Sequence, residues 1–169
     1  GEVISYNNAL QLNIKQIRRA YEDEYKRADY MPSTEKDPEA MYQELLSYGR
    51  QVKNPYLRKI IEYYFENDPD FIKKFKNHSA AKTVHHGFAG GLLEHTLSVV
   101  KFCEYMVGAY PILNRDLLYT AAMCHDIGKI KELSPFPAND YTDDGQLLGH
   151  IVIGVEMISD AIRTIPDFP

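Results

Sequence analysis

His125 and Asp126 stand side by side in Cys124-His125-Asp126-Ile127-Gly128-Lys129, an imidazole and a carboxylate followed by a glycine and an ammonium group. Mixed nitrogen and oxygen ligation of this type suits Mn, Fe, Co, Ni or Zn better than Mg or Ca. Consecutive helical residues point about 100° apart, so both side chains reach one ion only where a helix unwinds. Gly128 is expected to supply that exit. Taken alone, the pair is explained better by a C-terminal histidine on the helix dipole beside a solvated aspartate.

Two further histidines change the balance. His95 lies in Gly90-Gly91-Leu92-Leu93-Glu94-His95-Thr96, and His150 lies in Leu147-Leu148-Gly149-His150-Ile151. Each sits among apolar residues, near glycines that let another backbone come close. Singly, each reads as a core histidine bonded to a carbonyl. Together, three helical segments each present a histidine, one with an aspartate attached. A metal site with positions open to water and a phosphate oxygen then becomes the better reading.

Charge supplies a second signal. No acidic residue occurs between Asp70 and Glu94, an interval holding Lys73, Lys74, Lys76, Lys82, His78, His85 and His86. A positive approach to a metal site suits an anionic, phosphate-bearing substrate, and an ordinary solvated basic face explains the same lysines equally well. Phe71, Phe75 and Phe88 could stack bases, although the helical spacing of Phe71 and Phe75 points to the core.

The elements that must position these residues are mostly helical. Asp37-Pro38, Asn54-Pro55 and Asp68-Pro69 each join an Asx cap to a proline at the first helical position, which predicts helices near 38–52, 55–66 and 69–77. A longer helix is expected from just after Gly87 to about Ala109, closed by Pro111, and another from Arg115 to about His125 capped by Asn114. After a loop from Leu133 to Gly145, rich in proline and aspartate, Gln146 to Ile165 reads as a last amphipathic helix. Before all of these, Gly1–Tyr6 and the alternating Ala9–Lys15 flank Asn7-Asn8 as a β-hairpin, and two strands alone need a sheet to pack on. Tyr21 to Lys36 reads as a linker. The fold class is therefore all-α with an orphan N-terminal hairpin.

Composition narrows the classes. The 169 residues are 44% hydrophobic and 25% charged, the balance of a globular chain with a real core. No apolar run is long enough to span a membrane, and no signal-peptide core occupies the N-terminal stretch. Cys103 and Cys124 form no CxxC pair and lie in apolar stretches, as buried reduced thiols in a cytoplasmic protein do. A net charge of −5 argues against coating nucleic acid with the whole surface but leaves room for a local phosphate groove.

With these motifs in view, the chain resembles the HD-domain metal-dependent phosphohydrolases through His95, His125-Asp126 with Gly128-Lys129, and His150. The wording His85-His86-Gly87-Phe88-Ala89-Gly90-Gly91-Leu92-Leu93-Glu94-His95-Thr96, with Tyr141-Thr142 and Gly145-Gln146-Leu147-Leu148-Gly149-His150, is similar to the YhaM-type 3'-5' exoribonucleases. That resemblance implies an OB-fold before the HD domain, so residues 1–34 are expected to be the last OB hairpin and a linker. Residues 35–169 are expected to be an HD domain truncated at its C-terminus. It further implies His95, His125 and Asp126 as ligands of a first metal and His150 as serving a second metal or the substrate phosphate. Asp126 would also assist proton transfer and Lys129 would contact phosphate. His85, His86, Lys73, Lys74, Lys76 and Lys82 are the expected substrate contacts.

The implied cofactor is a divalent transition metal, Mn²⁺ foremost, with Co²⁺, Fe²⁺, Ni²⁺ and Zn²⁺ as alternatives. The implied substrate is single-stranded RNA or DNA, with no membrane partner. A phosphohydrolase acting on mononucleotides or cyclic dinucleotides and a non-catalytic helical module stand as rivals. Family members continue into a helix with a His-His pair and a later aspartate that closes the site. The chain is therefore expected to hold an ion weakly, to leave Leu147, Ile151, Val155 and Ile158 partly uncovered, and to pair as a homo-oligomer across its last helix.

Overall fold

A computed structural model of the protein describes residues 1–21, 23–25, 33–82, 87–135 and 138–169. The chain divides into two compact units, Gly1–Tyr30 and Met31–Pro169. In the first, β1 (Glu2–Tyr6) and β2 (Ala9–Asn13) pair antiparallel, with Tyr6 opposite Ala9 and Glu2 opposite Asn13. Asn7 and Asn8 take φ of 50° and 60°, the left-handed pair that a type I′ turn needs and asparagine tolerates. Val3, Leu10 and Leu12 are exposed, so the ribbon's apolar side chains are not buried within this unit.

The second unit is helical. α1 (Pro38–Gly49), α2 (Pro55–Phe65) and α3 (Pro69–Asn77) start at the three Asx-Pro steps. Asp37 accepts from the Glu39 N–H, Asn54 from those of Tyr56 and Leu57, and Asp68 from that of Phe71, each satisfying donors the first turn leaves unpaired. α4 (Gly91–Ala109) and α5 (Arg115–Cys124) follow, the latter capped by Asn114 through the Leu117 N–H.

Three boundaries differ from expectation. α4 begins at Gly91 because Gly90 takes φ 84°, outside the helical region, and the Leu92 N–H is bound by the His78 carbonyl. A one-turn helix, α6 (Lys129–Glu132), forms where none was expected. The last helix divides into α7 (Asp143–Leu147), capped by Thr142, and α8 (Gly149–Arg163), because Gly149 takes φ 72° between them.

α4 packs against α1, α3 and α5, while α8 packs on α2 and α6. Leu45, Ile61, Phe65, Phe75, Leu92, Leu93, Val100, Tyr119 and Met123 are fully enclosed between them. Phe71 and Phe75 belong to this core, with Phe65 edge-on to both at centroid distances of 5.2 and 5.1 Å. Burying a phenylalanine contributes roughly 1.5–3 kcal/mol, and edge-to-face pairs add to it. These two rings are therefore committed to packing rather than to bases. Cys124 is buried, and burial pushes its thiol up to about 12, while Cys103 is partly covered and both are unpaired with each other. Among the described residues no helix is long and apolar enough to cross a membrane.

Candidate metal centre

α4, the end of α5 and the start of α8 bring the expected residues to one place. His95 occupies the second turn of α4, and His125 is the C-cap of α5 with helical φ and ψ. Beyond it the chain tightens into three-residue steps, with the Ile127 N–H bonded to the Cys124 carbonyl at 3.3 Å and the Lys129 N–H to that of Asp126 at 3.0 Å. The α-helical ladder of α5 thus ends at His125, and Asp126 belongs to the tighter turn that follows. Gly128 does not open the helix as expected, since its φ of −62° is helical. Its smallness serves another purpose. A Cβ there would overlap the His150 carbonyl and the Gly154 nitrogen, so Gly128 lets α8 lie against the α5–α6 turn.

His95 Nε2 and His125 Nε2 are 3.2 Å apart, and they lie 3.4 and 3.3 Å from Asp126 Oδ2. Ligand atoms each about 2.1 Å from a shared ion stand roughly 3.0–3.4 Å from one another, so the three groups fit a divalent ion. His125 Nδ1 lies 2.8 Å from the Ala122 carbonyl, which can only accept; Nδ1 therefore carries the hydrogen, and in the neutral ring Nε2 has the lone pair. Among the described residues, these three form the cluster whose ligand atoms all lie within 4.8 Å of one another.

Asp126 is buried, and burial alone would push its carboxyl up, but hydrogen bonds and charge from His125 and Lys129 outweigh it and hold the group well below the usual carboxylate range. Burial would lower His125, and the Asp126 carboxylate and Ala122 carbonyl reverse that and raise it. Lys129 Nζ sits 3.0 Å from Asp126 Oδ2 and donates to the Ala80 carbonyl at 2.6 Å. The site is thus an ionised carboxylate surrounded by four cation-forming or metal-binding groups, His95, His125, Lys129 and His150. His150 Nε2 is 3.5 Å from the other carboxylate oxygen, Asp126 Oδ1.

The lysines of the acid-free stretch have separate positions. Lys73 and Lys74 are exposed on α3. Lys76 pairs with Glu39 and lies over the Tyr42 ring, and Lys82 bonds Asp140 at 2.6 Å and lies over Tyr141. His85 and His86 lie outside the described residues. His78 is buried, its ring between the carbonyls of Ser79 and Leu133.

Sequence reasoning missed Glu132, whose Oε1 lies 2.9 Å from His150 Nδ1, and Asn139, whose Nδ2 donates to the carbonyls of Ala81 and Lys82. A carboxylate closing the Lys129-Ile130-Lys131-Glu132 turn and an asparagine in a turn-rich loop were the available signals. Leu147, Ile151 and Val155 are exposed and Ile158 is partly covered, as expected. Ile151, Val155 and Ile158 join Leu57, Leu117 and Phe168 around a groove of about 510 Å³ that reaches His125.

Comparison with known proteins agrees with this geometry. Residues 92–165 match the HD-domain family. The chain is similar to the 3'-5' exoribonuclease YhaM of Geobacillus sp. (strain WCH70), with 36% identity over 162 residues, 95% of this chain and 49% of that protein. The chain thus spans about half the length of this curated relative. No solved structure matches it.

Proposed function

From the match to the HD-domain family at residues 92–165, we propose that the protein is a metal-dependent phosphodiesterase that removes nucleotides from the 3' end of single-stranded RNA, and also of single-stranded DNA. The convergence of His95, His125 and Asp126 carries this reading, because a donor set of this kind holds Mn²⁺ or a related transition ion. When bound, such an ion supplies Lewis acidity toward water and phosphate oxygens.

The chain's own groups have distinct tasks. Asp126, kept ionised by its neighbours, holds the cation and assists proton transfer from the attacking water. Lys129, partly buried and poised at Asp126, offsets charge that builds on the phosphate oxygens, where a fixed cation is worth most. His150 contributes from the far side of the carboxylate. Lys73 and Lys74 are free in position to meet the RNA backbone, and Lys76 and Lys82 reach it by exchanging Glu39 and Asp140 for phosphate. His85 and His86 are assigned to substrate contact with them. Residues 1–34 are read as the end of an OB-like domain that guides the strand, and 35–169 as the HD domain.

The test uses the full-length protein with RNA labelled at the 5' or 3' end. With Mn²⁺, immediate release of the 3' label and stepwise shortening of the 5'-labelled strand are expected, and a chelator should abolish both. Equal activity with chelator would exclude the metal role. Hydrolysis confined to free mononucleotides or cyclic dinucleotides would favour the small-substrate phosphohydrolase.

A further inference from the structure

We propose that Glu132 is a positioning residue that fixes the tautomer of His150 and so presents Nε2 as a lone-pair ligand to a divalent ion held by Asp126. The inference rests on the reading of the His95, His125 and Asp126 cluster as a metal centre. Glu132 ends α6 and is buried. Its Oε1 accepts from the His150 backbone N–H at 3.0 Å and lies 2.9 Å from His150 Nδ1. A carboxylate can only accept, so Nδ1 carries the hydrogen, and in the neutral ring Nε2 is left with its lone pair. That lone pair lies 3.5 Å from Asp126 Oδ1, another acceptor. With the ring neutral these are two acceptors turned toward each other, and a proton on Nε2 or a metal ion between them relieves the repulsion, so the pair is placed to receive a cation.

The backbone explains how one carboxylate reaches both groups. Gly149 at φ 72° turns the chain immediately before His150, and Leu148 offers α8 no side-chain cap. Glu132 takes the place of that cap from a neighbouring element, where a negative charge also suits the helix dipole. The same oxygen therefore sets where α8 starts and which way the imidazole faces. A carboxylate behind a metal-ligating histidine orients the ring and raises its basicity, and removing it typically costs about 10–100-fold in metal affinity.

The decisive experiment is ¹⁵N NMR of the histidine-labelled, metal-free protein in mildly alkaline buffer, with His150 assigned by its loss in His150→Gln. The wild type should show protonated Nδ1 and bare Nε2. Glu132→Gln should keep that pattern, because the amide oxygen can accept from both N–H groups. Glu132→Ala should release the ring to the Nε2–H form that free histidine prefers and weaken Mn²⁺ binding about 10–100-fold by calorimetry. In a His150→Gln background, Glu132→Ala should weaken it no further. A wild-type His150 carrying hydrogen on Nε2 would overturn the proposal, as would a Glu132→Ala protein with unchanged tautomer and affinity. Should Glu132→Ala fail to fold, the wild type and Glu132→Gln still decide. The tautomer is read without RNA, so a protein that cleaves no RNA can still satisfy this inference, and an active nuclease with Nε2–H at His150 refutes it alone.

Discussion

At the residue scale, Asp126 carries the greatest burden, because it faces His95 and His125 with one oxygen and His150 with the other. Asp126→Asn keeps the shape and removes the charge. Its turnover on RNA should fall by orders of magnitude while the circular dichroism of the helices is retained, and wild-type turnover in the folded variant would contradict the role. Asn139 has a purely architectural task. It sits at φ 45°, buried, and binds two carbonyls of the 79–82 segment on which Lys129 also rests. Asn139→Ala leaves those carbonyls without the amide and strains the backbone. A loss of about 1–3 kcal/mol in urea unfolding is expected. The residue types of the metal cluster were legible because histidine and aspartate are rare among apolar neighbours. Glu132 and Asn139 were not, because their partners lie 18 and about 57 positions away in the chain and nothing local announces them.

At the element scale, what sequence showed best was what is decided locally. The Asx-Pro steps at residues 37, 54 and 68 determine the starts of α1, α2 and α3 by hydrogen bonds within one turn, and all three lie where expected. The break between α7 and α8 was invisible because the apolar pattern runs across Leu147 and Leu148 without interruption, and only the backbone of Gly149 marks it. Gly128 illustrates the opposite error. Its importance was read correctly, but as an unwinding residue, whereas it is helical and makes room for α8. Gly128→Ala should therefore destabilise the fold by a few kcal/mol in thermal or urea unfolding, because the methyl meets backbone that cannot rotate away. It should also separate His150 from Asp126 and weaken Mn²⁺ binding. A variant as stable as wild type would show that α6 and α8 are not in such close contact.

On the scale of the whole molecule, charge distribution and coverage matter more than net charge. The chain is acidic overall, at −5, yet Lys73 and Lys74 stand exposed on a helix that packs against the one bearing His95. Lys76 is tied to Glu39, so the double variant Lys73→Ala/Lys74→Ala isolates the effect on substrate from that on the α1–α3 contact. It should raise KM for RNA with little change in kcat. The slope of log affinity against log salt should become shallower by about 1.4, from roughly 0.7 per phosphate contact on a single strand. An unaltered slope would assign these lysines to ordinary solvation. The class of the whole, helices after a short hairpin, was legible from periodicity and caps. The groove between α2, α5 and α8 was legible only in part, through the apolar face of the last helix, because its other wall comes from Leu57 and Leu117 far along the chain.

Whether His95, His125 and Asp126 hold a metal ion is read from Mn²⁺ titration of the full-length protein, following loss of the free-ion EPR signal. Bound Mn²⁺ is predicted in the wild type, with affinity at least about tenfold weaker in His95→Ala and His125→Ala, since each removes a nitrogen ligand. Saturable binding of equal affinity in all three proteins, or none in the wild type, would contradict the account.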